Sequence, residues 1–123
     1  DLMLDKFLRR FGEIFQYFTT ERMLEQIDIN YNLLLPEMRL HWERWATSNL
    51  KNIAADQPQS PDAAIRYWES RVERLRNVAR KRPRHCWVQV KDWFKLTDQQ
   101  MLDYFGPKPD FPPESVLDSN DNI

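Results

Sequence analysis

The stretch from Ser60 to Pro83 constrains the fold of this chain most, because it predicts one long amphipathic helix. Ser60 is a favoured N-cap residue, Pro61 suits the first helical position, and Asp62 puts a negative charge in the first turn. Apolar residues then recur in steps of three and four, the spacing of one helix face. They are Ile65, Trp68, Val72, Leu75 and Ala79. Such a face has to dock on other apolar surface, so we expect Trp68 and Leu75 to be buried.

The opposite face of this predicted helix is basic. From Arg66 to Arg84 the sequence holds eight Lys or Arg residues against two Glu residues. A face of this kind either binds phosphates, nucleic acid or an acidic protein, or is solvated surface with local charge pairs. The residues that would form a polyanion or partner surface are Arg66, Arg71, Arg74, Arg80, Lys81 and Arg84.

Composition narrows the class of protein further. A chain of 123 residues with 41% hydrophobic residues fits one domain with a core of its own. Only two glycines occur, which argues against a β-rich fold with many tight turns. The net charge of -1 does not indicate a globally basic nucleic-acid-binding protein. No apolar run approaches the ~18 residues of a membrane span, so no membrane association is predicted.

Helical periodicity also covers the sequence before the long helix. A first helix is predicted from Leu2 to about Tyr17, and Thr19-Thr20-Glu21 is a restart signal for a second. Pro36 is expected to end or kink that second helix, or to open a third. The third helix would carry Met38, His41, Trp42 and Trp45.

After the long helix, two more helices are predicted. Pro83 is expected to break the long helix and start a fifth, with Trp87, Val90 and Phe94 inward. Thr97-Asp98-Gln99-Gln100 has the form of a capping box and opens a short last helix, with Met101, Leu102 and Phe105 inward. We therefore predict an all-α fold of five to six helices in an irregular orthogonal bundle. The helical subdomain would span residues 1–106, and residues 107–123 would be a Pro-rich extended or disordered tail.

The sequence offers little catalytic chemistry. His41 and His85 have no Cys or His neighbours at metal-ligand spacing. Cys86 is the only cysteine, so no internal disulfide is possible, and we expect a small buried thiol near Trp87. There is also no Gly-rich phosphate loop. We predict no catalytic, cofactor-binding or metal-ligating residue in this chain.

An ordered set of short segments resembles the C-terminal helical part of the CotH (spore coat protein H) family of atypical protein kinases. The segments are Phe18-Thr19-Thr20-Glu21-Arg22-Met23, Leu35-Pro36-Glu37-Met38, His41-Trp42-Glu43-Arg44-Trp45, Tyr67-Trp68-Glu69, Val72, Leu75, Ala79-Arg80-Lys81-Arg82-Pro83 and Trp93-Phe94-Lys95-Leu96. Their order and gaps cover roughly residues 11–96. The chain departs from the family at Val78, where a bulkier Phe is expected, and residues 102–123 do not match.

The resemblance implies that the ATP-binding lysine and the metal-binding aspartates of the kinase precede Asp1. ATP and magnesium would then belong to the parent kinase, with no cofactor held by this chain and no activity of the chain alone. Its expected partner is the upstream kinase lobe, with a protein substrate as a further candidate, and nucleic acid is not expected. The family also suggests a bacterial spore coat, cell-surface or secreted location.

The first helix also predicts a partner surface, because its apolar residues cover a wider arc than a single stripe. The arc comprises Leu4, Phe7, Leu8, Phe11, Ile14, Phe15 and Phe18. A helix with such an arc is usually buried on more than one side. We expect one side to be exposed in this chain and to form a symmetric homodimer. The alternative function is an independent helical interaction module that uses the Arg-rich helix to bind an acidic or phosphorylated partner.

Overall fold

A computed structural model describes residues 1–45 and 60–110 of the chain. These residues form four helices and no strand: α1 (Leu2–Tyr17), α2 (Thr20–Trp45), α3 (Pro61–Phe94) and α4 (Asp98–Phe105). The predicted all-α class and the bounds of the first helix are confirmed. Residues 106–110 are not helical. The remainder of the predicted tail lies outside the described residues.

The helices begin where local capping signals predict. The Thr19 and Ser60 hydroxyl oxygens accept hydrogen bonds from the backbone N–H three residues later, at 3.3 and 3.2 Å. At the start of α4, the Gln100 N–H donates to Thr97 Oγ1 at 3.2 Å and the Thr97 N–H donates to Gln100 Oε1 at 2.9 Å. The predicted capping box is therefore confirmed, and each N-terminus has at least one backbone donor satisfied by a side chain.

The predicted break at Pro83 is wrong, because α3 continues through this residue. A proline lacks the N–H that would bond to the carbonyl four residues earlier, here Ala79. Thr20 Oγ1 donates to that Ala79 carbonyl at 3.3 Å, supplying a donor from another helix. Ala79, Pro83 and Trp87 are all buried on one stripe of α3. Packing and the replaced hydrogen bond together allow the helix to continue.

Pro36 does not end α2 either, and no third helix begins there. The carbonyl that loses its donor belongs to Asn32, whose side chain is exposed, so water can bond to this group. Before Pro36, Tyr31 Oη donates to Glu69 Oε1 at 2.9 Å. Beyond it, Arg39 Nη1 donates to Asp62 Oδ1 at 2.9 Å. Contacts with α3 on both sides of the proline thus hold α2 as one helix.

The chain divides into two compact units. The terminal unit comprises Asp1–Leu24 and Asn77–Ile123, and the central unit comprises Glu25–Arg76. The core of the terminal unit consists of Leu8, Trp87, Val90, Leu96, Met101 and Phe105. The predicted inward positions of the last two helical segments are confirmed except at Leu102, which is 48% exposed. Met101 and Phe105, four residues apart, already occupy the core face of this short helix.

Gly12 allows α1 and α4 to approach closely in the terminal unit. A Cβ atom built at Gly12 would lie 1.7 Å from the Tyr104 carbonyl oxygen. No side chain fits at that distance, so the residue is required by packing. In the sequence, a helical glycine indicates only a loss of helix propensity. The close approach depends on Tyr104, which is far away in the sequence.

The central unit has a much thinner core. Ala64 is the one hydrophobic residue of its described part that is fully buried. Trp68 is half-buried and stacks on Tyr31, with ring centroids 5.2 Å apart. Leu75, expected to be buried, is 52% exposed. In the described part of this unit, α2 is the helix that packs on α3. A single neighbouring helix covers a narrower stripe of α3 than the apolar spacing predicts, so Leu75 stays exposed.

Candidate interaction site

A groove of about 640 Å³ lies in the terminal unit beside the junction of α1 and α2. Its apolar lining includes Phe15, Pro83 and Phe105. Arg80 and Glu21 add charges of opposite sign, and residues 107–110 also line it. The groove combines an apolar surface with charged groups, as interaction sites commonly do.

Arg80 is the only residue of the predicted basic surface that lines this groove in the described part of the chain. Its Nη1 donates to Asn77 Oδ1 at 2.7 Å, which orients the guanidinium along α3. Lys81 and Arg84 belong to the same unit. All three side chains are half-buried, and each has an interaction partner within the chain.

The other half of the predicted basic surface lies in the central unit. Arg66, Arg71 and Arg74 are exposed there. Arg71 Nη2 donates to Tyr67 Oη at 2.6 Å, and its guanidinium carbon lies 4.6 Å from the Tyr67 ring centroid. The six predicted residues therefore form two sets of three, one in each unit.

Arg76 has a structural role in the central unit. It forms ion pairs with Asp28 of α2 at 2.9 Å and with Glu73 at 3.1 Å. Its guanidinium carbon is 5.3 Å from the centroid of the Tyr31 ring. Hydrogen bonding to Asp28 is the main reason that the pKa of Arg76 is raised. These contacts join α2 to α3 and withdraw one arginine from the basic face.

A polar cluster that sequence analysis missed joins the first and last helices. Tyr104 Oη donates to Asp5 Oδ1 at 2.8 Å, and Arg9 Nε donates to Asp5 Oδ2 at 2.9 Å. The hydrogen bond from Arg9, followed by that from Tyr104, lowers the pKa of Asp5. The same bond to the carboxylate raises the pKa of Tyr104. The (i, i+4) spacing of Asp5 and Arg9 is visible in the sequence, but the contact with Tyr104 spans nearly the whole described chain.

The histidines and the cysteine do not form a reactive site in the described residues. Cys86 is half-buried against the core of the terminal unit, and burial raises the pKa of its thiol. A raised pKa favours the thiol over the nucleophilic thiolate. His41 packs edge-on against Trp42, with ring centroids 5.3 Å apart. Within residues 1–45 and 60–110, no three His, Cys, Asp or Glu side chains are placed to hold a metal ion.

Two apolar stripes are exposed on the helices. The α1 stripe consists of Met3, Phe7, Ile14 and Phe18, at the edge of the arc whose inner side includes the buried Leu8. The α2 stripe consists of Ile29, Leu33, Pro36 and Leu40, all exposed. The predicted arc of the first helix is thus divided between the core and the surface. No described helix is both long and apolar enough to cross a membrane.

Comparison with known proteins gives no assignment. No protein-family model, curated protein or solved structure significantly matches this chain.

Proposed function

We propose that this chain is the non-catalytic C-terminal helical subdomain of a CotH-like protein kinase, where it scaffolds the kinase lobe. The ordered segments that resemble the family support this assignment, and they run from Phe18, just after α1, to Leu96, just beyond α3. ATP and magnesium would bind to upstream residues of the parent kinase. The chain itself would supply a docking surface.

The observation that carries the proposal is the exposed α1 stripe. Met3 and Phe7 are 77% and 51% exposed, whereas Leu8 on the adjoining face is 2% exposed. Single exposed apolar side chains are ordinary, but four of them along one face of a helix, here on both sides of Arg10, indicate an interaction surface. Covering it with the kinase lobe would remove apolar area from water at about 25 cal/mol per Å².

The complete reading frame provides the first test. We expect a kinase lobe before Asp1, with a lysine for ATP and aspartates for the metal ion. A complete reading frame without such a lobe would overturn the proposal.

The second test uses the full-length protein. Met3→Glu should lower the yield of soluble, autophosphorylating kinase, because a charge would be buried under the lobe. Leu2→Glu is the matched control, since Leu2 is 71% exposed and lies off the α1 stripe. If both variants have the same activity and thermal stability, the α1 stripe does not dock on the kinase lobe.

A second candidate function is an independent helical module that binds an acidic or phosphorylated partner. The exposure of Arg66, Arg71 and Arg74 on α3 favours it. If the chain has this function, we expect it to bind heparin, with an affinity that falls steeply between ~50 and ~200 mM salt. Replacing the three arginines by Ala should abolish this binding. The charge-matched control replaces Lys6, Arg9 and Arg10 of α1.

A further inference from the structure

We propose that the α2 stripe binds a second copy of this chain, with the two α2 helices antiparallel. This surface is distinct from the α1 stripe assigned above to the kinase lobe. Ile29, Leu33 and Leu40 are 52%, 72% and 61% exposed, and Pro36 completes the stripe. Because α2 already uses its opposite face to contact α3 through Tyr31, it has apolar residues on two sides.

The spacing of the stripe fits helix pairing. Its residues follow one another at steps of four, three and four, which is the alternation of a coiled-coil seam. They span about 16 Å of helix at 1.5 Å per residue. In an antiparallel pair, Leu33 of one copy packs on Pro36 of the other, and Ile29 packs on Leu40. Every apolar residue of the stripe then has an apolar counterpart.

The flanking charges select this orientation. Antiparallel pairing places Glu43 opposite Gln26 of the other copy and Glu37 beside the other copy's Asn30, so each carboxylate meets an amide that can donate a hydrogen bond. Parallel pairing would instead place Glu43 next to Glu43 of the other copy. Like charges in such contacts are destabilising, so the antiparallel register is favoured.

The α1 stripe is a poorer surface for a second copy. A two-fold antiparallel pairing of α1 would bring Arg10, in the middle of that stripe, next to its own symmetry mate. The α2 stripe has no charge between Ile29 and Leu40 on its apolar face. Dimerisation through the first helix, expected from the sequence, stays a prediction, and the test below separates the two surfaces.

The short stripe predicts a weak, reversible dimer. Standard stable interfaces bury about 1,200–2,000 Å² in total, more than four pairs of contacting side chains supply. We therefore expect a dissociation constant on the order of 100 μM. In sedimentation equilibrium the apparent mass of the chain should rise from 15.0 kDa toward twice that value across a series from ~10 μM to ~1 mM.

Substitutions on the two stripes identify the interface. Leu33→Glu should weaken association at least ~20-fold, since it buries a charge at the centre of the seam. Met3→Glu on the α1 stripe should leave association unchanged. Circular dichroism on each variant checks that helix content is preserved. A chain that stays monomeric to ~1 mM overturns the proposal, and so does dissociation by Met3→Glu but not by Leu33→Glu.

One further variant tests the orientation. Gln26→Lys should tighten the dimer about 2- to 5-fold, because antiparallel pairing places the new ammonium opposite Glu43 of the other copy. Parallel pairing would bring two such lysines together and loosen the dimer. Weaker association of this variant would therefore overturn the antiparallel arrangement. The kinase assignment is independent of these outcomes, since it rests on the α1 stripe and the upstream sequence.

Discussion

Thr20 has a function in α3 although it belongs to α2. Its hydroxyl donates to the Ala79 carbonyl, the group left without a helical donor by Pro83. We expect Thr20→Val to lower the free energy of unfolding by about 1 kcal/mol, because the buried carbonyl loses its partner. In a Pro83→Ala background the helical N–H returns, and the same substitution should cost nearly nothing. Urea unfolding of the four proteins in this double-mutant cycle measures the difference.

Thr19 is the matched control for this cycle. Its hydroxyl accepts a hydrogen bond from the Arg22 N–H at 3.3 Å and so caps α2, whereas the neighbouring Thr20 hydroxyl donates to the Ala79 carbonyl. Thr19→Val should therefore cost about 1 kcal/mol in both backgrounds. Equal losses for Thr20→Val with and without Pro83 would show that the hydroxyl does not compensate for the proline.

Asp5 is expected to make stability depend on pH in the acid range. Its pKa is lowered from the ordinary value of 3.8 by hydrogen bonds, first from Arg9 and then from Tyr104. A lowered pKa in the folded state means that the contribution is present above the unfolded-state pKa and is lost as the pH falls through the folded-state pKa. Asp5→Asn should therefore be less stable than the parent at pH 7, and the difference should shrink below about pH 4.

Thermal unfolding from pH 2 to 7 measures this effect. Tyr104→Phe removes only one of the two donors to the carboxylate and should reduce the pH dependence partly. A difference between parent and Asp5→Asn that stays constant over the whole range would contradict a role for the ionised carboxylate.

At the scale of helices, the features that depend on neighbouring residues could be predicted from the sequence. The Thr97 capping box, the Ser60 cap and the bounds of α1 depend on neighbouring residues, and each is confirmed. The helices do not end at Pro36 and Pro83, because contacts with distant residues hold α2 and α3 together and, at Pro83, one such contact replaces the missing donor. Thr20 lies 59 positions from Ala79, so no local pattern could reveal that bond.

Gly12 shows the same limit in the packing of α1 on α4. On an isolated helix, Gly12→Ala would be favourable by about 1 kcal/mol. In the terminal unit the new Cβ would collide with the Tyr104 carbonyl and push the helices apart. We expect a net loss of about 1–3 kcal/mol in urea unfolding. Glu13→Ala, one residue away on the exposed face, is the control and should be nearly neutral; a stabilised Gly12→Ala variant would contradict the close approach.

At the scale of the whole molecule, the candidate site was the least predictable part. The six basic residues of the predicted surface lie on one continuous helix, and the exposure of Arg66, Arg71 and Arg74 could be anticipated from the spacing, whereas the other three are half-buried. Their separation into two sets could not, because the boundary between the units falls within α3, between Arg76 and Asn77. The spacing of four, three and four in the α2 stripe is visible in the sequence, but the face with the half-buried Ile27 and Tyr31 dominated the periodicity.

The unequal cores of the two units predict unequal local stability. Seven buried hydrophobic residues, six of them in one cluster, support the described part of the terminal unit, whereas Ala64 is the one buried hydrophobic residue in the described part of the central unit. Local stability follows buried apolar contact, so amides of α2 and α3 within residues 25–45 and 61–76 should exchange faster with solvent than those of α1 and α4. Hydrogen exchange followed by mass spectrometry measures the difference.

Two substitutions assign the exchange rates to the two cores. Trp68→Ala should cost about 1.5–3 kcal/mol, less than the 3–5 kcal/mol of a fully buried aromatic residue, and should speed exchange mainly in the central unit. Met101→Ala, at a side chain that is 1% exposed, should cost about 2–5 kcal/mol and act on the terminal unit. Because a core residue protects the amides that unfold with it, each substitution should leave the slowest amides of the other unit nearly unchanged. The opposite result would be equal protection of the amides in all four helices, with both substitutions accelerating exchange equally everywhere. It would mean that the described chain opens as a single cooperative unit.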